Sequence, residues 1–224
     1  MIGAHNVENE LSDCHGIIVP GGFGSRGVEG KIDCIRHARE KKIPYLGLCL
    51  GFQMAVIEYA RNVCNIPEAN SSEFAPDGKH SVIDILPEQK KIEGLGGNMR
   101  LGGKDIAITP GTMAAKMFNG ATQIRLRFRH RYEVDPQIIG TLEKHGMVFS
   151  GRHPRQPIMQ ILELPESVHP FFMGTQAHPE LSSRPLRPQP MFMALVAASM
   201  DYARDHGKEH GKSHGGHHKQ TATV

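Results

Sequence analysis

Pro44-Tyr45-Leu46-Gly47-Leu48-Cys49-Leu50-Gly51-Phe52-Gln53 is the stretch on which the fold of this chain turns. Tyr45 to Leu48 is a short apolar run of strand length, and Phe52 to Val63 continues with helical spacing. Between them, Gly47-Leu48-Cys49-Leu50-Gly51 has the form Gly-x-nucleophile-x-Gly, a nucleophile elbow with cysteine in place of serine. In such a turn the glycines permit a sharp bend and the side chain is presented at the strand end. The N-terminus of the following helix favours a thiolate. The N–H of Leu50 would face a developing oxyanion. A buried structural cysteine fits the same residues, so the elbow alone leaves both readings open.

Outward from this stretch the pattern repeats. Gly16-Ile17-Ile18-Val19 reads as a buried strand stopped by Pro20-Gly21-Gly22, and Val28 to Lys42 reads as a helix burying Ile32, Ile35 and Ala38. Strand, helix, strand, helix predicts a parallel sheet with helices on its faces. Downstream, Val82 to Leu86 reads as a strand, and glycine-rich Gly94 to Gly103 as a mobile loop. Ile124, Leu126 and Phe128 alternate with Arg125, Arg127 and Arg129, the period of a strand with one wet face. Further strands are expected at Met147–Ser150, Pro157–Leu164 and Phe171–Gln176, and a last amphipathic helix at Gln189–Ala203.

The 224 residues suit one domain, placed at 1–205, followed by a His/Gly/Lys-rich tail at 206–224 expected to be disordered. The tail is assigned no metal site. A composition of 39% hydrophobic and 22% charged residues is that of a soluble globular protein. A net charge of +3 gives no case for nucleic acid or an anionic membrane surface as partner. No apolar run is long enough to cross a bilayer, and Met1 to Leu11 lacks the apolar core of a signal peptide, so a cytoplasmic location is expected. Cys14, Cys34, Cys49 and Cys64 form no CxxC pair, which argues against a disulfide framework or a zinc knuckle.

Two nucleotide motifs are approached and fail. Gly22 to Gly27 matches GxGxxG after a strand, but Pro20 and Gly21 displace the turn and no ribose-binding acid follows in a second βαβ unit. Gly24 to Lys31 is one residue too long for a phosphate loop, with Ile32 where a magnesium-binding hydroxyl belongs. A loop rich in backbone N–H groups remains. Gln176-Ala177-His178-Pro179-Glu180 closes the last expected strand. His178 is placed to deprotonate a thiol, and Glu180 to orient the imidazole. Elbow and histidine then both stand at carboxyl ends of strands, where open α/β sheets bind ligands.

VPGGFGSRGVEGK, PYLGLCLGFQ, NSSEF, LGGNMRLG, RHRYEV and QAHPE, in this order, closely resemble the class I glutamine amidotransferase domain of CTP synthases, from roughly Gly16 to Ala203. The resemblance implies a three-layer α/β fold, flavodoxin-like, with a parallel central sheet and helices on both faces. It implies a Cys49, His178 and Glu180 triad that hydrolyses L-glutamine to glutamate and ammonia. It further implies glutamine contacts from Gly22, Leu50, Gly51, Phe52, Gln53, Glu73 and Arg131. Their chemistry suits that role: Arg131 offers a fork for an α-carboxylate, Glu73 a carboxylate for an α-ammonium, and the Gly22 and Leu50 N–H groups an oxyanion hole. The loop Gly94 to Gly103 corresponds to the family's lid, linked to activation by GTP, with Arg100 a candidate for that response.

The chain departs from the family at two points. Ala177 stands where an aromatic is usual, which is expected to loosen packing without removing the chemistry. The N-terminal synthetase domain of the family, which takes ATP, Mg2+ and UTP, is expected to be missing, and the amidotransferase fold itself reads as truncated before Gly16. An exposed sheet edge or unfilled core region is the expected consequence. The resemblance implies no cofactor in this chain, a synthetase domain as partner, and a homotetramer only in the full-length enzyme. Alternatives are a non-catalytic fragment retaining the triad, or another triad hydrolase such as a γ-glutamyl hydrolase or cysteine peptidase.

Overall fold

The computed structural model describes residues 6–85 and 99–206. Leu86, residues 94–98 of the expected loop, and the tail beyond His206 lie outside the described residues. A short helix α1 (Val7–Glu10) leads into β1 (Ile17–Val19), α2 (Val28–Lys41), β2 (Tyr45–Leu48) and α3 (Leu50–Asn62). Then follow β3 (Ala69–Ser71), β4 (His80–Asp84), β5 (Arg100–Ile108), α4 (Met113–Met117), β6 (Gln123–His130) and β7 (Glu133–Val134). The chain closes with α5 (Pro136–Lys144), β8 (Val148–Arg152), β9 (Met159–Glu163), β10 (Phe172–Thr175), a 3-10 turn at Pro179–Leu181, and α6 (Pro190–His206).

A seven-stranded sheet runs β1-β2-β10-β9-β8-β5-β6, and a three-stranded sheet runs β3-β4-β7. The parallel portion is confined to β1, β2 and β10, with Ile18 beside Leu46 and Gly174 beside Gly47. Every other pairing in the large sheet is antiparallel. The strand–helix alternation that predicts parallel pairing stops after α3. Strands β8, β9 and β10 follow one another with no helix between them, and such connections reverse the chain. Arg100 to Gly103, expected in the loop, lie in β5, where Arg100 pairs with His130 and Gly103 with Arg127. Glycine content suggested mobility there; the ladder to β6 overrides it.

Both faces of the large sheet are covered. Tyr45, Phe172 and Leu162 turn toward α2 and α3, while Leu46, Leu48, Ile161 and Met173 turn toward α4 and α6. This alternation is the period of two expected of strands buried on both sides. Helix α3 is buried from Leu50 through Ala60, wedged between the large sheet, α2 and the small sheet. Its one acid, Glu58, is fully buried and accepts from Arg39 of α2 at 2.7 and 2.9 Å and from Asn62 at 3.1 Å. Strand β1 forms one edge of the sheet, where Ile18 is 48% exposed beside an apolar groove between Leu11, Val19 and Cys34.

Glu58→Ala should strip Arg39 of its partner inside the α2–α3 contact. A loss of about 3 kcal/mol is expected in urea unfolding, the low end for a broken buried pair because Arg39 can turn partly to solvent.

Candidate active site

The parallel pairing of β2 with β10 brings the elbow beside Gln176 and His178. The Cys49 N–H donates to the Thr175 carbonyl at 2.8 Å, so the first residue past β2 is tied to the last of β10. Cys49 has φ 48° and ψ −97°, a conformation that non-glycine residues seldom adopt. Neither flanking glycine carries a positive φ. Their absent side chains serve close approach instead. A Cβ on Gly47 would stand 2.7 Å from the Gly51 carbonyl, and one on Gly51 would stand 2.1 Å from the Val19 carbonyl. The strain of the turn therefore falls on Cys49 itself, as it does where structure holds a functional side chain in place.

Cys49 is 3% exposed. Burial pushes its thiol up to about 12; the Leu50 N–H opposes this, and Glu180, Glu73 and Glu133 add to it. A thiol so placed stays protonated at neutral pH unless a base takes the proton. The nearby imidazole is that of His178, which lies against Gly21 as Cys49 does. Its Nδ1 lies 2.6 Å from Glu180 Oε1. A carboxylate oxygen accepts here, so Nδ1 carries the hydrogen, and in the neutral ring Nε2 then carries the lone pair. Nε2 is buried and has no hydrogen-bond partner among the described residues. The backbone of His178 is held in turn by the Arg127 carbonyl of β6, at 2.8 Å.

Gly21 touches both groups: a Cβ there would meet His178 Cε1 at 2.8 Å and Cys49 Cβ at 3.5 Å. Only a glycine lets the turn after β1 pass this close. Beside the thiol lies a narrow cavity of about 70 Å³, which Gly22, Gln53, Glu73 and Arg131 line together with Cys49. Leu50, in the first turn of α3, is not among the lining residues; its Cδ2 lies 3.1 Å from where a Cβ on Gly22 would stand. Glu73 is fixed by the Gly24 N–H at 2.9 Å. Gly51 and Phe52 are not among the lining residues: Gly51 packs on Val19 and Phe52 against Gly174.

Phe23, His130 and Tyr132 also line the cavity, and the residue types alone did not single them out. His130 Nε2 lies 2.8 Å from Glu133 Oε1, and Arg100 Nε pairs with the same oxygen at 2.6 Å. This cluster ties β5 and β6 to Glu133 of β7. Gln176, fully buried, places its Nε2 3.5 Å from Cys49 Sγ. Gly21 stands next to the candidate Gly22 and Gln176 two residues before His178, and that adjacency was the available signal. Ala177 is fully buried in the core layer under α4 and α6. No cluster of His, Cys, Asp or Glu suited to a metal ion occurs among the described residues. No helix among them is long and apolar enough to cross a membrane.

A family profile described as "Glutamine amidotransferase class-I" matches residues 3–198. CTP synthase of Archaeoglobus fulgidus is 52% identical over 199 residues, and that of Carboxydothermus hydrogenoformans 54% over 200. In each case the match takes in 89% of this chain but 37% of the relative's length. Among solved structures, the glutaminase domain of Trypanosoma brucei CTPS with bound acivicin superposes with a TM-score of 0.82 at 34% identity, covering 90% of this chain and 80% of that one. A putative GMP synthase component from Thermoplasma acidophilum, with 14% identity and a TM-score of 0.56 over 92% of this chain and 83% of that one, shares the fold alone.

Gly21→Ala should press its methyl group on an imidazole already pinned by Glu180. Alkylation of Cys49 at neutral pH is expected to slow by about tenfold, with thermal unfolding nearly unchanged; mass spectrometry distinguishes Cys49 from the other thiols.

Proposed function

The chain belongs to the class I glutamine amidotransferase family, of the kind carried by CTP synthases, and from that premise we propose that it hydrolyses L-glutamine to glutamate and ammonia through Cys49, His178 and Glu180. The observation that carries the reading is the state of His178: Nδ1 is pinned by Glu180, Nε2 has no hydrogen-bond partner among the described residues, and the ring and Cys49 both lie against Gly21.

In this reaction the Cys49 proton passes to His178 Nε2 and the thiolate attacks the carboxamide carbon. The oxyanion is received by the N–H groups of Leu50 and Gly22. His178 then protonates the departing nitrogen as the C–N bond breaks, which leaves a γ-glutamyl thioester and ammonia. A water molecule, deprotonated by His178, adds to the thioester, and the C–S bond breaks to release glutamate. Burial keeps the resting thiol protonated, so ionisation depends on His178 and nucleophilicity is confined to the site.

Specificity follows from charges on the cavity wall. Arg131 takes the α-carboxylate and Glu73 the α-ammonium of glutamine, with Gln53 on the same wall. Leu50 and Gly22 act through their backbone. Gly51 and Phe52 serve by packing the first turn of α3, and any contact of theirs with glutamine is through the main chain. The chain spans 37% of the length of the CTP synthases it matches. The ammonia is therefore assigned to a separate synthetase domain, where ATP, Mg2+ and UTP bind and UTP is aminated to CTP. GTP is assigned as activator, and tetramer formation to the full-length enzyme.

Ammonia release from glutamine by the purified chain, with and without GTP and a synthetase domain, tests the proposal. Cys49→Ala should lower kcat by about four orders of magnitude or more. Arg131→Lys should instead raise KM by about tenfold, because a bidentate fork is lost while charge remains. Wild type that releases no more ammonia than Cys49→Ala would favour the non-catalytic reading.

A further inference from the structure

We propose that Gln176 is a further catalytic residue of this site: its side-chain amide donates to Cys49 Sγ and holds the charge of the thiolate, in an orientation dictated by Gln53 and the Tyr132 carbonyl. The inference rests on the reading of Cys49 as nucleophile.

The orientation follows from which groups can donate. Gln53 Nε2 lies 3.0 Å from the Tyr132 carbonyl and 3.1 Å from Gln176 Oε1. A carbonyl oxygen only accepts, so Gln53 must present its NH2 to Tyr132. Its second N–H then meets Gln176, which must answer with its oxygen. The Gln176 NH2 is thereby turned toward Cys49 Sγ, at 3.5 Å. Flipping either amide would set two donors or two acceptors face to face. Both glutamines are buried, Gln53 at 3% exposure and Gln176 at 0%, so water does not substitute. The Gln176 backbone is also fixed, its N–H donating to the Gln160 carbonyl at 2.9 Å.

The contact bears on the charge of sulfur. As a thiol, Cys49 points its hydrogen toward the Arg129 carbonyl at 4.0 Å and accepts from Gln176. On ionisation the first contact is lost and the second becomes charge-assisted, which strengthens it. Glu180, Glu73 and Glu133 face the thiolate unfavourably. His178 lies across Gly21, and His130 and Arg131 lie along the cavity. Among the described residues, the N–H donors on Sγ are the Leu50 backbone and Gln176. Two residues before His178, the same strand end thus supplies both a base for the proton and a donor for the charge it leaves behind.

The test is the alkylation rate of Cys49 by iodoacetamide as a function of pH in the full chain, with mass spectrometry resolving the cysteines, alongside steady-state glutamine hydrolysis. Gln176→Met keeps the length and removes the donor. The rising limb of the rate should move about one unit to higher pH, and kcat should fall about tenfold at unchanged KM, as for one hydrogen bond lost from an ionised group. Gln176→Glu keeps the shape and the bond from Gln53 but adds a like charge, so its limb should move further. A purely structural role predicts otherwise: loosened packing would expose Sγ and quicken labelling with the limb in place. A limb coincident with wild type in either folded variant overturns the proposal, even where wild type hydrolyses glutamine. A displaced limb in a chain that hydrolyses none supports the contact and instead overturns the proposed reaction.

Discussion

The bond from the Cys49 N–H to the Thr175 carbonyl joins two segments 126 positions apart, and the site depends on the parallel register it closes. Gly174 lies beside Gly47 and Thr175 beside Leu48. One further step along each strand places Cys49 and Gln176 side by side, and two more residues bring His178 to the same end. A slip of one residue would invert every side chain of β10 and exchange Met173 with Gly174 between the two core layers. The register is therefore held by burial on both faces, and the chemistry inherits its precision from packing.

Strain and close approach are concentrated at the same point. Gly47 and Gly51 let α3 begin against Val19 of β1, and Gly21 lets the β1 turn pass between His178 and Cys49. The turn after β1, the elbow and the strand end that carries His178 converge within a few ångströms because the first two contribute residues without side chains. The cost of the turn appears as the positive φ of Cys49. A conformation of that kind costs on the order of 1–3 kcal/mol and persists only where its surroundings over-determine it. Buried α3 and the β2–β10 ladder supply that constraint.

The polar groups around the thiol are held in separate pairs and small clusters. Glu180 fixes His178; Gln53 fixes Gln176; Glu133 binds both His130 and Arg100. Buried polar groups that lack partners are costly, and the Nε2 of His178 is such a group among the described residues. The small sheet matters for this reason as well. It carries Glu73 just after β3 and Glu133 in β7 to the large sheet's edge, where Arg131 faces the same cavity.

Local sequence was sufficient wherever neighbours along the chain decide the outcome. The apolar run Tyr45–Leu48, the helical spacing of Ile32, Ile35 and Ala38, and the alternation of Ile124, Leu126 and Phe128 with arginines each form the element their period predicts. The family motifs carried the three-layer fold and the set of candidate residues. Long-range pairing was not legible in the same way. Arg100 to Gly103 joined a strand because β6 was there to pair with them, and β8, β9 and β10 pair antiparallel because no crossover helix stands between them. Gly21 and Gln176 likewise gain their roles only when β1, β2 and β10 lie side by side. Periodicity and motif are properties of a few adjacent residues, so sequence determined the elements and the chemistry each could carry. Which groups touch Cys49, and which way their donors point, depends on contacts between distant segments, and only the tertiary structure decided it.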